Sequence, residues 1–133
     1  MTDGRHLVTK LTIEELGKEG EDQARLILKD KGFNLTSPDW LAEKDGKWFQ
    51  FEIKRKERFE PPPFEGHGLN INQIDRRIDL YKKTGMRPYL MIWEIKSDIW
   101  YGQWLDILES KESFVTKNNI KIYKLSNFGV LKI

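Results

Sequence analysis

The sequence contains no cysteine, and this absence excludes two kinds of stabilising site. Disulfide bonds and zinc sites built from thiolates both require cysteine. A chain without disulfides suits a reducing compartment, so we expect a cytoplasmic protein, or one in the host-cell cytoplasm if its source is a virus. Histidine is scarce too: His6 and His67 are the only two, and neither has a neighbour at a spacing typical of a histidine metal site.

Long apolar runs are also absent. The longest, residues 89–93, is far too short to cross a bilayer, and the N-terminal residues do not follow the basic and then apolar pattern of a secretion leader. We therefore expect a soluble protein with no membrane association. Its 38% hydrophobic and 12% aromatic content argues against disorder, and residues 1–133 are predicted to form a single domain.

The excess of positive charge is small, and a formal net charge of +2 does not by itself identify a nucleic-acid-binding protein. The basic residues are nevertheless clustered in two segments. The first holds Lys54, Arg55, Lys56 and Arg58, and the second holds Arg76, Arg77, Lys82, Lys83 and Arg87. We interpret five of them as DNA-binding through phosphate contacts: Arg55, Lys56, Arg58, Arg76 and Arg77. The alternative, that both clusters are ordinary solvated surfaces, stays open.

The most informative stretch, residues 38–54, predicts a β-hairpin. Asp45-Gly46 favours the positive φ angles of a two-residue type I′ turn, and both flanks are rich in aromatic and branched side chains. With this turn, Asp39 lies directly opposite Glu52. Opposed carboxylates on one face of a sheet repel each other unless a cation lies between them. The pair therefore predicts a metal site.

The second strand of this hairpin separates a polar face from an apolar face. Period-2 alternation places Gln50, Glu52 and Lys54 on one side, with Phe49, Phe51 and Ile53 on the other. Carboxylate and carbonyl oxygens suit Mg²⁺ and Mn²⁺, so Asp39, Glu52 and the Ile53 carbonyl are candidate ligands. Lys54 would then hold an attacking water or offset charge on a phosphate, which predicts phosphodiester chemistry. The alternative, that Glu-x-Lys is an ordinary solvated face, stays open.

Two amphipathic helices are predicted on either side of this hairpin. Residues 12–31 carry an apolar stripe, and Glu21 lies at its edge, where it either faces inward or reaches water. Residues 71–84 form the second helix, with Asn70 or Asn72 as N-cap and Gly85 as its stop. Gln73 lies in its first turn, on the side that carries Arg76, Arg77 and Leu80. This glutamine either contacts a phosphate backbone or is a plain surface residue.

The remaining segments are read from their turn residues and apolar spacing. Residues 57–69 include three consecutive prolines and are predicted to be a loop that arches over the cleft, with His67 facing solvent or a phosphate. Residues 88–95 predict a buried strand and residues 99–108 a helix. After an Asn118-Asn119 turn, residues 120–125 predict a short edge strand.

Pro38-Asp39 followed by Glu52-Ile53-Lys54 resembles the signature of the PD-(D/E)xK nucleases, the restriction-endonuclease-like superfamily. The resemblance covers most of the chain. The first helix, with Gly20-Glu21, is similar to the family's leading helix and its acidic residue, and Gln73 resembles the glutamine of the resolvase-like and RecB-like branches. The fold that it implies is a three-layer α/β domain whose central mixed sheet is flanked by helices.

This resemblance also implies an activity and a role for each site residue. The chain would be a Mg²⁺-dependent endonuclease acting on DNA, with Mn²⁺ as a substitute. Glu21, Asp39 and Glu52 would bind the metal directly or through water, Lys54 would assist the nucleophile, and Gln73 would support the site.

Within the family, the chain is most like the Holliday-junction resolvases. These imply structure-selective cleavage of branched or duplex DNA by a homodimer. We expect Trp100 and Trp104 at the dimer interface, because five tryptophans exceed what one small core usually holds; the alternative is that both lie in the core. Other functions also stay open: a restriction or RecB-like DNA-processing nuclease, or a catalytically silent nucleic-acid-binding protein on the same fold.

Overall fold

The computed structural model describes residues 13–35 and 41–132 of the chain. The helices of this part are α1 (Ile13–Asp30), α2 (Ile71–Thr84) and α3 (Leu105–Glu109), with a 3-10 turn at Leu125–Asn127. One sheet contains β1 (Asn34–Leu35), β2 (Leu41–Lys44), β3 (Lys47–Lys56), β5 (Arg87–Glu94), β6 (Trp100–Trp104) and β9 (Gly129–Lys132). A second sheet contains β4 (Gly66–Asn70), β7 (Ser113–Val115) and β8 (Ile120–Lys124).

The larger sheet is mixed, with strand order β1-β2-β3-β5-β6-β9. Strands β3 and β5 run parallel, and the other neighbouring pairs are antiparallel. A parallel pair needs a long crossover between its strands, and here the crossover contains β4 and α2. The crossover lays α2 against the middle of the sheet.

The sheet is covered on both faces, which confirms the predicted three-layer α/β fold. On one face, α1 buries Ala24, Ile27 and Leu28 against Phe51 and its neighbours. On the other, Ile74 of α2 packs with a second core cluster that includes Leu90, Ile92, Leu69 and Tyr123. The two clusters use alternate residues of β5, as strand geometry requires. No helix in the described part of the chain is long and apolar enough to span a membrane.

The predicted hairpin forms with the expected turn. Asp45 and Gly46 have φ angles of 54° and 79°, and Lys44 pairs with Lys47. The register continues to Leu41 opposite Gln50. Asp39 lies outside the described residues, so its place opposite Glu52 remains a prediction.

Helix α2 also begins and ends as predicted. The Asn70 side chain accepts a hydrogen bond from the Asn72 amide at its N-terminus, and Gly85 ends the helix in the left-handed conformation at φ 79°. The predicted buried strand is β5, from Arg87 to Glu94.

Two predictions about the polar segments are wrong. The expected loop over residues 57–69 joins a sheet at its end, because Gly66–Asn70 forms β4 and pairs with β8. Glycine permits this pairing, since a Cβ at Gly68 would collide with the Lys121 carbonyl oxygen. Strand β8, expected at an edge, is the middle strand of the smaller sheet.

The predicted helix over residues 99–108 is mostly a strand. Residues Trp100–Trp104 form β6 between β5 and β9, and only Leu105–Glu109 is helical. Because β6 is covered on both faces, its apolar residues do not alternate with polar ones, and the strand signal is lost.

Trp100 is buried within the chain, so its expected exposure at a dimer interface is wrong, whereas Trp104 is half-buried. Trp100 is 4% exposed and stacks on Trp93, with ring centroids 5.5 Å apart. Trp104 packs edge-on against Tyr89 at 5.0 Å, with the Arg87 guanidinium 4.3 Å from its ring centroid. The alternative, a place in the core, is therefore observed for Trp100.

The β4–β8 contact leads to a stability prediction. Gly68→Ala should lower the free energy of unfolding by about 1 to 3 kcal/mol, because the added Cβ forces the two strands apart. Gly129→Ala is the control: its Cβ would meet the Gly102 carbonyl oxygen at an ordinary 3.6 Å. We expect this control to change stability by less than about 1 kcal/mol. Urea denaturation measures both, and equal stability of the two variants would contradict the close approach.

Candidate active site

A polar strip runs along the face of β3 that is turned toward α2. Gln50, Glu52 and Lys54 occupy alternate positions, paired in parallel with Pro88, Leu90 and Ile92 of β5. Gln50 is buried, while the side chains of Glu52 and Lys54 are 17% and 33% exposed. The strip therefore rises from the core toward solvent along the strand.

Arg77 of α2 forms the main ion pair of this strip. Its Nη2 and Nε atoms lie 3.1 Å and 3.3 Å from Oε1 of Glu52. The other carboxylate oxygen, Oε2, faces the Lys54 ammonium at 3.8 Å. A half-buried carboxylate needs a positive partner, and Arg77 supplies it through one oxygen. Oε2 keeps a lone pair available for another cation.

Gln50 joins β3 to the middle of α2 and to the loop that follows the helix. Its Nε2 donates to the backbone carbonyls of Arg77 at 3.0 Å and Met86 at 2.7 Å, and its Oε1 accepts from Arg77 Nη1 at 3.4 Å. Both donor positions and the acceptor of this buried amide are therefore hydrogen-bonded, as a polar side chain in the core requires. The sequence placed Gln50 on the polar face, but its partners lie 27 and 36 residues away and could not be inferred.

A pocket of about 430 Å³ lies between β3 and α2. It is lined by Gln50, Glu52, Gln73, Arg76, Arg77 and Leu80. The helical spacing that placed Gln73 on the side of the two arginines is therefore observed. Arg76 is exposed at the rim, and its Nε atom makes a long 3.4 Å hydrogen bond to the Asn72 carbonyl. This rim can receive an anionic ligand.

The first basic cluster divides between the two faces of the sheet. Arg55 lies on the α1 face, with its guanidinium 3.8 Å from the Trp93 ring centroid, and burial lowers its pKa. Arg55 therefore lies on the face of the sheet opposite to Glu52, because odd-numbered residues of β3 point away from it. Lys56 lies on the Glu52 face and donates to the Gly68 carbonyl at 2.8 Å.

The described part of the structure does not place the other two predicted carboxylate ligands, Glu21 and Asp39, beside Glu52. Glu21 is exposed on α1, so the alternative of a boundary carboxylate reaching water describes its side chain. Asp39 lies outside the described residues. Within residues 13–35 and 41–132, no three histidine or acidic side chains form a group that could hold a metal ion. Glu52 is the described carboxylate around which a cation site would be built.

A buried charged network lies beyond the end of β3, and sequence reasoning missed it. Glu94 accepts from Arg58 Nη2 at 2.9 Å and Nε at 3.0 Å, and its Oε2 lies 2.7 Å from His67 Nε2. Arg58 also pairs with Glu65. His67 is 1% exposed, so its expected contact with solvent is wrong. A glutamate at the end of a buried apolar strand was the one signal of this network in the sequence.

The network sets the protonation of its members. Burial acts to raise the pKa of Glu94, but hydrogen bonds from Arg58, Ser97 and His67 outweigh it and lower the pKa to about 2. Burial lowers the pKa of His67, and the hydrogen bond to Glu94 opposes this only in part. Near neutral pH, Glu94 is therefore ionised and His67 neutral, with Nε2 donating to the carboxylate.

The comparisons with known proteins bear on the fold. No protein-family model matches the chain, and no curated protein matches it either. The structure is similar to that of Hjc, a Holliday junction resolvase from the archaeal hyperthermophile Archaeoglobus fulgidus, with a TM-score of 0.55 and 16% sequence identity. The similarity covers 87% of this chain and 95% of that chain. The chain therefore has a resolvase-like fold, and its chemistry must be argued from its own residues.

The His67 network predicts a pH dependence of stability. The pKa of His67 is lower in the folded chain than in the unfolded one, so the stability present above its ordinary value of 6.5 falls as the pH drops below it. One proton limits this loss to about 1.4 kcal/mol per pH unit. Glu94 adds a further loss only between its ordinary value of 4.5 and about 2.

Urea denaturation at about pH 7.5 and about pH 5.5 separates these contributions. His67→Gln keeps a donor for Glu94 and does not titrate, so we expect it to lose less stability on acidification than the unmodified chain. Equal losses in the two proteins would contradict a neutral, buried His67.

Proposed function

We propose that the chain is a metal-dependent endonuclease, a single domain over residues 1–133, that cleaves branched DNA as a Holliday-junction resolvase does. The observation that supports this most is the pocket between β3 and α2, where Glu52, with Lys54 beside it, faces Gln73 and Arg76. A carboxylate, an ammonium and phosphate-binding side chains around one cavity are the groups that phosphodiester hydrolysis uses. The resolvase-like fold agrees with this assignment.

The proposed cation site is centred on Glu52 Oε2. This oxygen is contacted by Lys54 at 3.8 Å, too far for a hydrogen bond, and its chemistry suits a hard cation. Asp39 and the Ile53 carbonyl would be the further ligands, with Glu21 contributing through water. A bound Mg²⁺ or Mn²⁺ would stabilise a hydroxide and polarise the scissile phosphodiester.

The protein's own side chains would orient the substrate and the nucleophile. The Lys54 ammonium, on the same face as Glu52, would hold the attacking water and offset charge that develops on the phosphate. Arg76 and Gln73 on the pocket rim would bind the phosphate backbone of the same strand. Arg77 limits the negative charge at Glu52, so a metal would have to share this carboxylate with a guanidinium.

Branched DNA and a homodimer belong to the same proposal. A four-way junction has approximate two-fold symmetry, and a two-fold dimer would present one cleavage site to each of two strands. Because Trp100 is committed to the core, the dimer surface would have to use other residues, among which Trp104 is half-buried.

A second candidate function is DNA binding without cleavage. The Glu52–Arg77 ion pair favours it, because this carboxylate is already compensated, and the described residues offer no acidic group of three around it. Such a protein would bind branched DNA equally well with Mg²⁺ and with a chelator.

Glu52→Gln should abolish Mg²⁺-dependent cleavage and leave folding and DNA binding intact, because it replaces a charged ligand with an amide of the same shape. The assay compares linear duplex, single strand, flap and four-way junction, each with Mg²⁺ and with EDTA. The unmodified protein should cut the junction fastest, and only with Mg²⁺.

Glu60→Gln provides the matched control, since Glu60 is exposed beyond the end of β3 and should be dispensable. Full Mg²⁺-dependent activity of Glu52→Gln would rule out the assigned site. Binding of the junction by the unmodified protein with no cleavage at any Mg²⁺ concentration would favour the second candidate function.

Lys54→Met is expected to lower the cleavage rate by about a hundredfold to a thousandfold, because it removes one preorganised charge while keeping the aliphatic stem. Its affinity for Mg²⁺, measured by calorimetry, should be nearly unchanged. Lys47→Met, at the exposed start of the same strand, is the control. Lost metal affinity with an unchanged rate at saturating Mg²⁺ would show that Lys54 has a different role.

A further inference from the structure

A second pocket, of about 310 Å³, lies where the end of β3 meets the smaller sheet. Three segments line it: the end of β3 and the residues after it (Lys56, Glu57, Arg58 and Phe59), β4 (Gly66, His67 and Gly68), and the β7–β8 hairpin (Thr116, Asn118, Ile120 and Ile122). The volume is at the lower end of the range for small-molecule sites. None of the groups assigned above to hydrolysis lines this pocket.

Lys56 supplies a cation that lacks an acidic partner. Its Nζ atom donates to the Gly68 carbonyl at 2.8 Å, and no carboxylate in the described part of the chain lies within ion-pair distance of it. Burial lowers its pKa, and the nearby Lys54 charge adds to this. Ammonium groups removed from water are normally paired, so an anion is the partner that this site lacks.

Part of the pocket lining is apolar. It includes the side chains of Ile120 and Ile122 and the ring of Phe59. Phe59 is held in place by Phe114, whose ring centroid lies 5.2 Å away. An immobilised aromatic ring beside aliphatic side chains suits a planar apolar group.

The second pocket lies close to the candidate active site along β3. Lys56 follows Glu52 by four residues on the same face of the strand, a span of about 13 Å, and Lys54 lies between them. Phosphates of a duplex strand are spaced about 3.4 Å apart along the axis, so a strand bound at Glu52 reaches Lys56 within a few nucleotides.

We infer that this pocket binds one unstacked nucleotide of the substrate strand, with its phosphate on Lys56 and its base against Phe59, Ile120 and Ile122. The inference rests on the proposed function, and it adds a recognition site for unpaired or distorted DNA. A base can enter such a pocket only where pairing is lost, which favours branch points over intact duplex.

Binding of a 5′-phosphorylated thymidine dinucleotide to the full chain in EDTA tests this directly. In ¹H-¹⁵N NMR spectra, the amide signals of Thr116, Asn118 and Ile120 should shift with added dinucleotide. Lys56→Met should weaken binding by about tenfold or more, because a charge-assisted contact is lost. Asn118→Asp, an isosteric change at the exposed rim, should weaken it severalfold by repelling the phosphate.

Two controls isolate the pocket. Lys29→Met removes one charge from α1, on the opposite face of the larger sheet, and should bind the dinucleotide as the unmodified chain does. Glu52→Gln should also bind it normally, because the probe is used without metal. A chain that cleaves no DNA and still binds the dinucleotide here would keep this inference and refute the nuclease.

Three results would overturn the inference. Signal shifts confined to Gln73 and Arg76 would place the nucleotide in the first pocket. Unchanged affinity in both Lys56→Met and Asn118→Asp would exclude the assigned contacts, even if the protein cleaves DNA. Inorganic phosphate that binds as tightly as the dinucleotide would show that the apolar wall does not hold a base.

Discussion

The structure depends on one strand, β3, being buried on both faces beside its parallel neighbour β5. Alternation then sends Phe51 and Ile53 into the core under α1, while Gln50 and Glu52 point to the face that α2 covers. A carboxylate in that position needs a positive partner, and the crossover between β3 and β5 brings Arg77 to it. The polar strip, the pocket and the placement of α2 are consequences of this single arrangement.

Both pockets lie on the face of β3 that carries Glu52, and different secondary-structure elements line them. The first lies between β3 and α2, and the second between the end of β3 and the β7–β8 hairpin. Lys54 lies between them on the same face. A DNA strand bound along β3 would therefore contact positively charged side chains from the first pocket to the second. Such contacts bind the phosphate backbone and do not read bases.

Local sequence signals predicted the parts of the fold that depend on neighbours in the chain. Asp45-Gly46 and Gly85 have the backbone conformations that their turn and cap require. The other elements depend on pairing between distant segments. Strand β6 is covered on both faces, so its apolar residues were mistaken for a helix. Strand β4 is a strand because it pairs with β8. The site also combines local and long-range features. The alternation of β3 predicted which residues share a face with Glu52, but the hydrogen-bond partners of Gln50 and His67 could not be predicted.

The hydrogen bonds of Gln50 have a mechanical consequence. Because its side-chain amide is bonded to the Arg77 carbonyl within α2 and to the Met86 carbonyl after it, the helix and the strand are joined beside the first pocket. Sliding of α2 along β3 would therefore require both hydrogen bonds to break, which is costly for polar groups removed from water. The helix and the strand thus move as one body at Gln50, and the exposed side of the pocket, beside Arg76, is the side open to a ligand.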